Sequence, residues 1–173
     1  AAGAAAVAAW AEPVRWAELV LEKGADPPGQ NPVPKETRWV EVDLPADDPL
    51  WSDDVSRSFR WLGAAWAAAL GDGVVHEGPF EPGRWGRTVC FAGRGAGEVF
   101  VDGAKVVGLA QRRTRAGARF QCAVLRSWDP GPLIDVVVPP EDRASARADL
   151  AGVARGVGLD GLLDRFLEVL GRV

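Results

Sequence analysis

The sequence is poor in the side chains that most often build metal and thiol chemistry. It has one histidine, His76, and two cysteines, Cys90 and Cys122. A lone histidine without a nearby Ser or Asp pattern does not support a catalytic triad or a histidine-based metal centre, so His76 receives no role and no metal ligands are assigned. Two cysteines with strand-like flanks give no disulfide framework and indicate buried or site thiols in a reducing compartment. We therefore expect a cytoplasmic protein.

The sequence also lacks an excess of positive charge and any long apolar run. Its formal net charge is -4, which argues against bulk affinity for nucleic acid or an anionic membrane. No apolar stretch reaches the length of a membrane span. One basic cluster runs against this balance, and it suits an acidic protein domain, a nucleotide phosphate or a solvated hairpin tip equally well. It comprises Arg112, Arg113, Arg115 and Arg119.

Methionine is absent as well, so we expect Ala1 not to be the translated start and the front end to belong to a fragment. The alanine-rich residues 1–11 have no preceding positive charge, which argues against a signal peptide and favours a helix or tail. The composition divides the chain into an atypical N-terminal segment with a Pro/Gly linker, residues 1–37, and one main domain, residues 38–173. The linker spans Gly24–Lys35, and Val14–Glu22 before it has helical spacing.

Periodicity predicts an α+β domain with an antiparallel or mixed sheet and helices mainly on one side. Trp39–Leu44 alternates as a half-buried strand, and a helix capped by Ser52 carries apolar residues at helical spacing up to a closing Gly71. Hairpin turns are expected at Asp102-Gly103 and Ala116-Gly117. The other predicted strands are Val89–Phe91, Glu98–Val101, Lys105–Ala110, Phe120–Leu125 and Ile134–Val138. Two closing helices are predicted, at Glu141–Val157 and after a cap at Asp160.

Lysine is scarce, and that scarcity makes Lys105 conspicuous. The chain has three lysines against seventeen arginines, and Lys105 follows a tight turn on a predicted strand. Arginine is a broad fork that keeps its proton, whereas lysine is a compact charge that can be desolvated and aimed at one oxygen. We therefore treat Lys105 as the first candidate for a functional cation.

The segment around Lys105, VDGAKVVGLAQRR followed by RFQCAVL, resembles the catalytic domain shared by lipoate–protein ligases, biotin protein ligases and octanoyltransferases. The lipoate–protein ligase branch is the most similar, since its pattern is Gly-x-Lys-Val-x-Gly-x-Ala-Gln-Arg-Arg. The resemblance extends over roughly Arg38–Leu170 and implies the biotin/lipoate protein ligase-like fold. The residues that match the pattern in order are Gly103, Lys105, Val106, Gly108, Ala110, Gln111, Arg112 and Arg113.

What the resemblance implies is an ATP- and Mg²⁺-dependent enzyme that activates lipoate or octanoate as an acyl-adenylate. The acyl group would then pass to a lysine on the lipoyl domain of a 2-oxoacid dehydrogenase or of the glycine cleavage protein. Lys105 would neutralise charge on the acyl carbonyl and the phosphate. The implied substrate- and nucleotide-binding residues are Gly93, Gly95, Gly97, Gly108, Ala110 and Gln121.

Two departures from the family pattern leave alternatives open. The Arg-Arg-x-x-Gly-Gly-Gly loop that should precede Trp39–Leu44 is not found, and Asn-Asp before the hairpin is replaced by GAGE, with Glu98 the only nearby carboxylate. One alternative is an octanoyltransferase that carries its acyl group as a Cys90 thioester without ATP, although a cysteine between Val89 and Phe91 is most simply a small core residue. Another is a truncated, non-catalytic protein that binds an acyl ligand or a lipoyl domain.

Overall fold

The structure is a computed structural model that describes residues 8–9, 16–18 and 37–172. Their strands join into one seven-stranded antiparallel sheet in the order β1-β2-β3-β7-β6-β5-β4. The strands are β1 Ala8–Ala9, β2 Trp16–Glu18, β3 Thr37–Pro45, β4 Val74–Val75, β5 Val99–Val101, β6 Ala104–Arg113 and β7 Gly117–Leu125. The helices are α1 Arg60–Leu70, α2 Gly131–Val137, α3 Arg143–Leu150 and α4 Leu162–Leu170. The predicted α+β class is therefore confirmed.

The centre of the sheet is the β5-β6-β7 meander, and its turns lie where the sequence predicts them. Asp102 and Gly103 both have positive φ, 52° and 79°, which a two-residue turn between twisted antiparallel strands requires. The longer β6-β7 turn is closed by the N–H of Thr114, which donates to the carbonyl of Gly117. A register shift at Val99/Phe100 interrupts the β5-β6 pairing opposite Lys105 and Val107. This bulge lies next to the residues that form the candidate site.

One face of the sheet is covered by α1 and α4, which form the main core. The indole of Trp66 on α1 stacks on the ring of Phe166 on α4, with ring centroids 3.8 Å apart. The guanidinium of Arg165 on α4 donates to the carbonyl of Ala69 and so ties the two helices together. Alternate residues of β3 and β7, including Val42 and Phe120, are fully buried beneath them. The prediction that helices pack mainly on one side is confirmed.

The opposite face is only partly covered. A small cluster of Phe91, Ala123, Leu125 and Ala154 covers the end of β7, with Trp39 and Trp128 packed against it. The α2-α3 pair forms a separate cluster that shares Trp128 and Val153 with this one. The rest of this face, towards the β6-β7 turn, carries polar and small side chains. Among the described residues, no helix is long and apolar enough to cross a membrane.

Two predicted strands are wrong. Ile134–Val138 lies almost entirely in α2, because Pro132 fits the first helical turn and the carboxylate of Asp129 accepts the N–H of Gly131 before it. Short apolar runs do not distinguish a strand from a buried helix by periodicity alone. The predicted strand Val89–Phe91 is instead an extended Val89 followed by a 3₁₀ turn, Cys90–Ala92.

The bounds of the helices also differ from those that the sequence predicts. The first helix begins at Arg60 after a 3₁₀ turn at Arg57–Phe59, and the carboxylate of Asp54, rather than the hydroxyl of Ser52, accepts backbone N–H groups there. Those bonds, with Arg57 first, lower the pKa of Asp54. Helix α4 begins after Gly161, whose φ is 63°, without a side-chain cap from Asp160. The predicted helix over Glu141–Val157 is shorter, since α3 ends at Leu150.

The N-terminal predictions fall mostly outside the described residues. Within the predicted helix Val14–Glu22, the described residues Trp16–Glu18 form β2, so the helical interpretation is wrong there. Within residues 1–11, Ala8–Ala9 form β1. The linker Gly24–Lys35 lies outside the described part of the chain.

Candidate functional site

Lys105 is the most deeply buried charged residue of the candidate site. Its side chain is 1% exposed, and its ammonium lies 2.6 Å from Oε2 of Glu98, whose side chain is 12% exposed. The ammonium also donates to the carbonyl of Cys90 at 3.2 Å. The rings of Phe91 and Phe100 lie beside it, with centroids 5.5 Å and 5.9 Å from Nζ. Lysine is fully buried only when paired, and here one carboxylate and two aromatic faces provide that pairing.

Three local features hold Lys105 in place. Its backbone N–H donates to the carbonyl of Val153, and its carbonyl accepts the N–H of Arg155, so a strand-like segment runs beside the start of β6. The Asp102-Gly103 turn sets the direction in which β6 leaves β5. The 3₁₀ turn at Cys90–Ala92 then presents the carbonyl of Cys90 to the ammonium. The wrongly predicted strand at Val89–Phe91 is therefore a turn that serves this site.

Burial acts on both members of the ion pair. It raises the pKa of Glu98 and lowers the pKa of Lys105, because each charge loses water. Each shift is opposed by the attraction of the other charge. Backbone N–H groups of Gly95 and Leu109 further favour the ionised form of Glu98. Lys105 and Glu98 thus form a desolvated ion pair, and the Glu98 carboxylate accepts backbone N–H groups in addition to the ammonium.

Two of the predicted ligand-binding glycines surround the same carboxylate. The N–H of Gly95 donates to Oε2 of Glu98 at 2.6 Å. A Cβ on Gly108 would lie 3.7 Å from Oε1 of Glu98 and 3.2 Å from the ring of Phe91. Lys105, Gly95 and Gly108 therefore converge, as a ligand-binding cradle requires. The group at their centre is the carboxylate of Glu98.

The other predicted glycines pack against neighbouring elements. A Cβ on Gly93 would lie 2.7 Å from the ring of Phe80, and one on Gly97 would lie 2.4 Å from the Cβ of Phe59. Gly97 also has a φ of 81°, which favours glycine. Its carbonyl lies so close to Gly63 on α1 that a Cβ there would be 2.2 Å from the oxygen. These contacts dock the 93–97 turn onto the first helix and fix where Gly95 points.

The sheet face beside Gly108 continues the site as cross-strand rows. Gly108, Ala123 and Trp39 form one row on β6, β7 and β3. Ala110 and Gln121 begin the next row, in which the amide of Gln121 donates to Glu41 at 2.8 Å. The predicted residues Gly108, Ala110 and Gln121 are thus neighbours on one face. The Phe91 ring and its cluster cover this face at Gly108 and Ala123, whereas Ala110 is exposed.

The basic cluster does not act as one patch. Arg119 is bonded to Asp43 and also faces Glu41. Arg113 points to the other side, where its guanidinium donates to the carbonyl of Ser52 and stacks over Trp51. Arg112 lines an open cavity of about 410 Å³ at the turn end of the sheet, far along β6 from Lys105.

A second cavity, of about 300 Å³, lies between the sheet and α4. It is lined by apolar residues such as Val40, Val124 and Leu162, with Arg38 and Arg126 also on its wall. Val40 and Val124 belong to the face covered by α1 and α4. Gly108 and Ala123 face the other way, so the sheet separates this cavity from Lys105.

The two cysteines differ in environment. Neither forms a disulfide, and Cys90 is exposed whereas Cys122 is buried. Burial raises the pKa of Cys122 to about 12, so that thiol is neutral near neutral pH. Cys90 lies directly beside the Lys105 site through its backbone. The sequence predicts both thiols in strands and offers only Cys90 as an alternative nucleophile.

Comparison with solved structures gives the fold its context. A bi-partite lipoate protein ligase from Thermoplasma acidophilum, studied with its E2 lipoyl domain, matches 79% of this chain with a TM-score of 0.58 and 15% identity. The chain has the lipoate–protein ligase fold. A second T. acidophilum protein, assigned to the lipoate protein ligases and solved with bound lipoic acid, matches 79% of the chain with a TM-score of 0.51 and 16% identity.

The match covers only part of these ligases. The chain spans about half of their length, 51% of each solved chain. No protein-family model and no curated protein sequence matches this chain. The comparison therefore establishes the ligase fold, while the activity has to be argued from the site.

Sequence reasoning did not assign Glu98 its position. In the sequence, Glu98 stands out only as the carboxylate nearest to the glycine turn. The available signal was the pairing of a lysine and a glutamate on opposite arms of the Asp102-Gly103 hairpin. Hairpin arms bring such residues together, but the bulge at Val99/Phe100 decides which side chains meet.

Proposed function

We propose that this chain is a lipoate–protein ligase-like enzyme that activates lipoate or octanoate as acyl-AMP and passes the acyl group to a lysine of a lipoyl domain. The observation that carries this proposal is the buried ammonium of Lys105, which lies with Gly95 and Gly108 around a single carboxylate, that of Glu98. The ligase fold supports the same assignment, and a protein with this fold was solved with lipoic acid.

The chemistry has two steps, and both gather negative charge near Lys105. In the first, an oxygen of the acyl carboxylate attacks the α-phosphorus of ATP, and the bond to pyrophosphate breaks. In the second, the uncharged amine of the acceptor lysine attacks the acyl carbonyl, AMP leaves with the electron pair of the broken C–O bond, and the nitrogen loses a proton to solvent. A fixed ammonium within a dry site stabilises the charge on carbonyl and phosphate oxygens in each step.

The glycines would let the ligand approach the backbone. Gly108 has no side chain between the β6 backbone and the cradle, and the N–H of Gly95 already points at an anionic oxygen. Ala110 and Gln121 would border the ligand on the adjoining row. An acyl chain or a nucleotide would then lie along the exposed part of that face, at Ala110.

Magnesium fits this site less well than the nucleotide does. Among the residues that the structure describes, no group of three or more His, Cys, Asp or Glu side chains could hold a metal ion. The carboxylate of Glu98 is already paired with the ammonium of Lys105. We therefore assign no step to a protein-bound metal.

The partner would be a lipoyl domain of a 2-oxoacid dehydrogenase or of the glycine cleavage protein, in the cytoplasm. The T. acidophilum ligase with this fold was studied with its E2 lipoyl domain. The two cysteines, neither of them in a disulfide, suit a reducing compartment. Because the chain covers about half of the solved ligases, transfer is best tested separately from adenylation.

The decisive experiment is incubation of the chain with ATP, Mg²⁺ and octanoate or lipoate, followed by mass spectrometry for acyl-AMP. We expect acyl-AMP from the unmutated chain and at least a hundredfold less from Lys105→Met. Arg172→Ala is the matched control. It removes an exposed cation that follows α4, so it should leave the yield of acyl-AMP unchanged. If the unmutated chain forms no acyl-AMP, or Lys105→Met forms as much, the ligase assignment fails.

The second candidate function is that of an octanoyltransferase. It is favoured because Cys90 is exposed and its carbonyl accepts a hydrogen bond from the ammonium of Lys105. Here the Cys90 thiolate would attack the octanoyl thioester of acyl carrier protein, forming a new thioester and releasing the carrier thiol. The uncharged amine of the acceptor lysine would then attack the thioester carbonyl, the C–S bond would break to release the Cys90 thiolate, and the amine nitrogen would lose a proton as the amide forms. Cys90→Ser should abolish octanoyl transfer without ATP if this is right, and should spare acyl-AMP formation if the chain is a ligase.

A further inference from the structure

Glu98 receives every close donor that the cradle offers. Its Oε2 accepts both the Lys105 ammonium and the N–H of Gly95 at 2.6 Å, and the N–H of Leu109 also favours its ionised form. Its Oε1 lies over Gly108. This is the donor set that binds an external oxyanion: one ammonium, backbone N–H groups and a glycine without a Cβ.

The cost of burying this pair suggests that it does more than hold the fold together. Two charges taken out of water lose hydration, and their attraction seldom exceeds that loss. An apolar pair of similar size would suit an ordinary core position equally well. Here the surroundings keep both charges beside the open sheet face that carries Ala110 and Gln121, where a ligand can arrive.

We propose that Glu98 is an internal anion that occupies the Lys105 cradle and that an incoming carboxylate or phosphate must displace. The empty protein is then held in a closed state, in which the lysine is neutralised by its own chain. The identity of the displacing anion rests on the proposed function. The displacement itself requires only that the donors around Glu98 also bind a ligand oxygen.

Arg94, on the same turn as Glu98, is a second cation to which the displaced carboxylate of Glu98 can bind. The guanidinium of Arg94 stacks on the ring of Phe100, 4.2 Å from its centroid, and Phe100 also borders Lys105. Arg94 is close enough that its charge contributes to the lowered pKa of Lys105. When the carboxylate leaves Lys105, it can therefore turn towards Arg94 while the ligand takes its place.

The test measures binding of small anions to the full chain by calorimetry, without ATP. Octanoate probes the carboxylate and inorganic phosphate probes the phosphate. Glu98→Gln keeps the size of the side chain and removes its charge, so we expect it to bind at least one of the two anions about tenfold more tightly than the unmutated chain. The anion that gains identifies which ligand group the cradle receives.

Two controls separate displacement from a general charge effect. Glu141→Gln changes the net charge by the same amount at an exposed position and should bind both anions as the unmutated chain does. The double variant Glu98→Gln/Lys105→Met should lose the gain, because the cation that receives the anion is gone. Unchanged or weaker binding of both anions by Glu98→Gln would overturn the proposal, as would an equal gain in Glu141→Gln.

A measurement on the unmutated chain covers the case in which Glu98→Gln does not fold. The carboxyl ¹³C resonance of Glu98 should move when octanoate or phosphate saturates the protein, because the carboxylate leaves the ammonium. Saturation without that movement overturns the proposal. This readout is independent of the adenylation assay: displacement without acyl-AMP refutes only the ligase function, and acyl-AMP without displacement refutes only the role of Glu98.

Discussion

The N–H of Arg155 donates to the carbonyl of Lys105 at 3.0 Å, and the guanidinium of the same arginine reaches the carboxylate of Asp102 at 2.6 Å. Arg155, which follows α3 in the chain, thus contacts both the candidate lysine and the turn that precedes it. The segment that carries Arg155 continues along the sheet, where the N–H of Val157 donates to the carbonyl of Leu125. The geometry of the Lys105 site therefore depends on a tightly fitted segment far along the chain.

Gly156→Ala should be strongly destabilising. A Cβ at this position would lie 1.9 Å from the carbonyl oxygen of Arg126 and 2.7 Å from the Cα of Ser127, so backbone has to move. We expect a loss of about 3 kcal/mol in the free energy of unfolding, measured by urea titration. Gly152→Ala is the control, because a Cβ there meets nothing within 4 Å and the change should stay within about 0.5 kcal/mol. Equal effects of the two substitutions would contradict this fit.

Gly63→Ala should destabilise the protein although it adds a better helix former. Alanine normally gains about 1 kcal/mol over glycine inside a helix. Here its Cβ would lie 2.2 Å from the carbonyl oxygen of Gly97, on the turn that also carries Gly95. We expect a net loss of about 2 kcal/mol by thermal or urea unfolding, together with weaker anion binding. A stabilised Gly63→Ala protein would show that the turn moves freely.

The exposed face of α1 provides the control for that substitution. Ala64→Gly changes a solvent-facing position of the same helix and should cost about 1 kcal/mol through helix propensity alone. Its anion binding should match that of the unmutated chain. If Ala64→Gly weakens binding as much as Gly63→Ala does, then helix stability rather than the Gly97 contact is responsible.

Elements that bury one whole face could be predicted from the sequence. The alternation of Trp39–Leu44 predicts β3 because its inward residues are buried, and the helical spacing of Leu62, Trp66 and Ala69 predicts α1 for the same reason. Asp102-Gly103 predicts its turn because few other pairs tolerate two positive φ angles. These signals come from single elements and need no partner.

Elements defined by tertiary contacts could not be predicted in the same way. The run Ile134–Val138 is apolar and β-branched, yet it is helical because Pro132 and Asp129 favour a helix start there. The candidate site shows the same limit. The resemblance predicts ligand-binding roles for Lys105, Gly95 and Gly108, but the placement of Glu98 among them follows from a bulge in β5-β6 that no local pattern reveals.

Lys105→Met should destabilise the protein in a pH-dependent manner. Breaking a buried ion pair leaves Glu98 without its cation, which costs about 3 kcal/mol at pH 7.5. Burial already raises the pKa of Glu98, and loss of Lys105 removes the main opposing attraction. The folded state then holds a proton that the unfolded state releases, so stability is lost as pH rises above the unfolded pKa and regained on acidification. Urea titrations should show that the difference in the free energy of unfolding between Lys105→Met and the unmutated chain is smaller at pH 5 than at pH 7.5.

A constant gap between the two pH values would contradict the charge argument and leave only a packing effect. Lys105→Met/Glu98→Gln serves as the comparison, because it removes both charges. We expect its stability to exceed that of Lys105→Met at pH 7.5, since no uncompensated carboxylate remains. The two variants should converge at pH 5.

Cys122 should make the protein less stable above pH 9. Burial raises the pKa of its thiol from 9.0 to about 12, so the unfolded chain loses this proton at a pH where the folded chain keeps it. Between pH 8 and 10 the free energy of unfolding should therefore fall by about 1.4 kcal/mol more in the unmutated chain than in Cys122→Ala. Paired urea titrations measure that difference directly, since other titrating groups are common to both proteins.

Iodoacetamide at pH 8 should modify the exposed Cys90 and spare Cys122. Rapid labelling of Cys122 in the folded protein, or identical pH curves for the two proteins, would place this thiol in contact with water and contradict the packing of the main core.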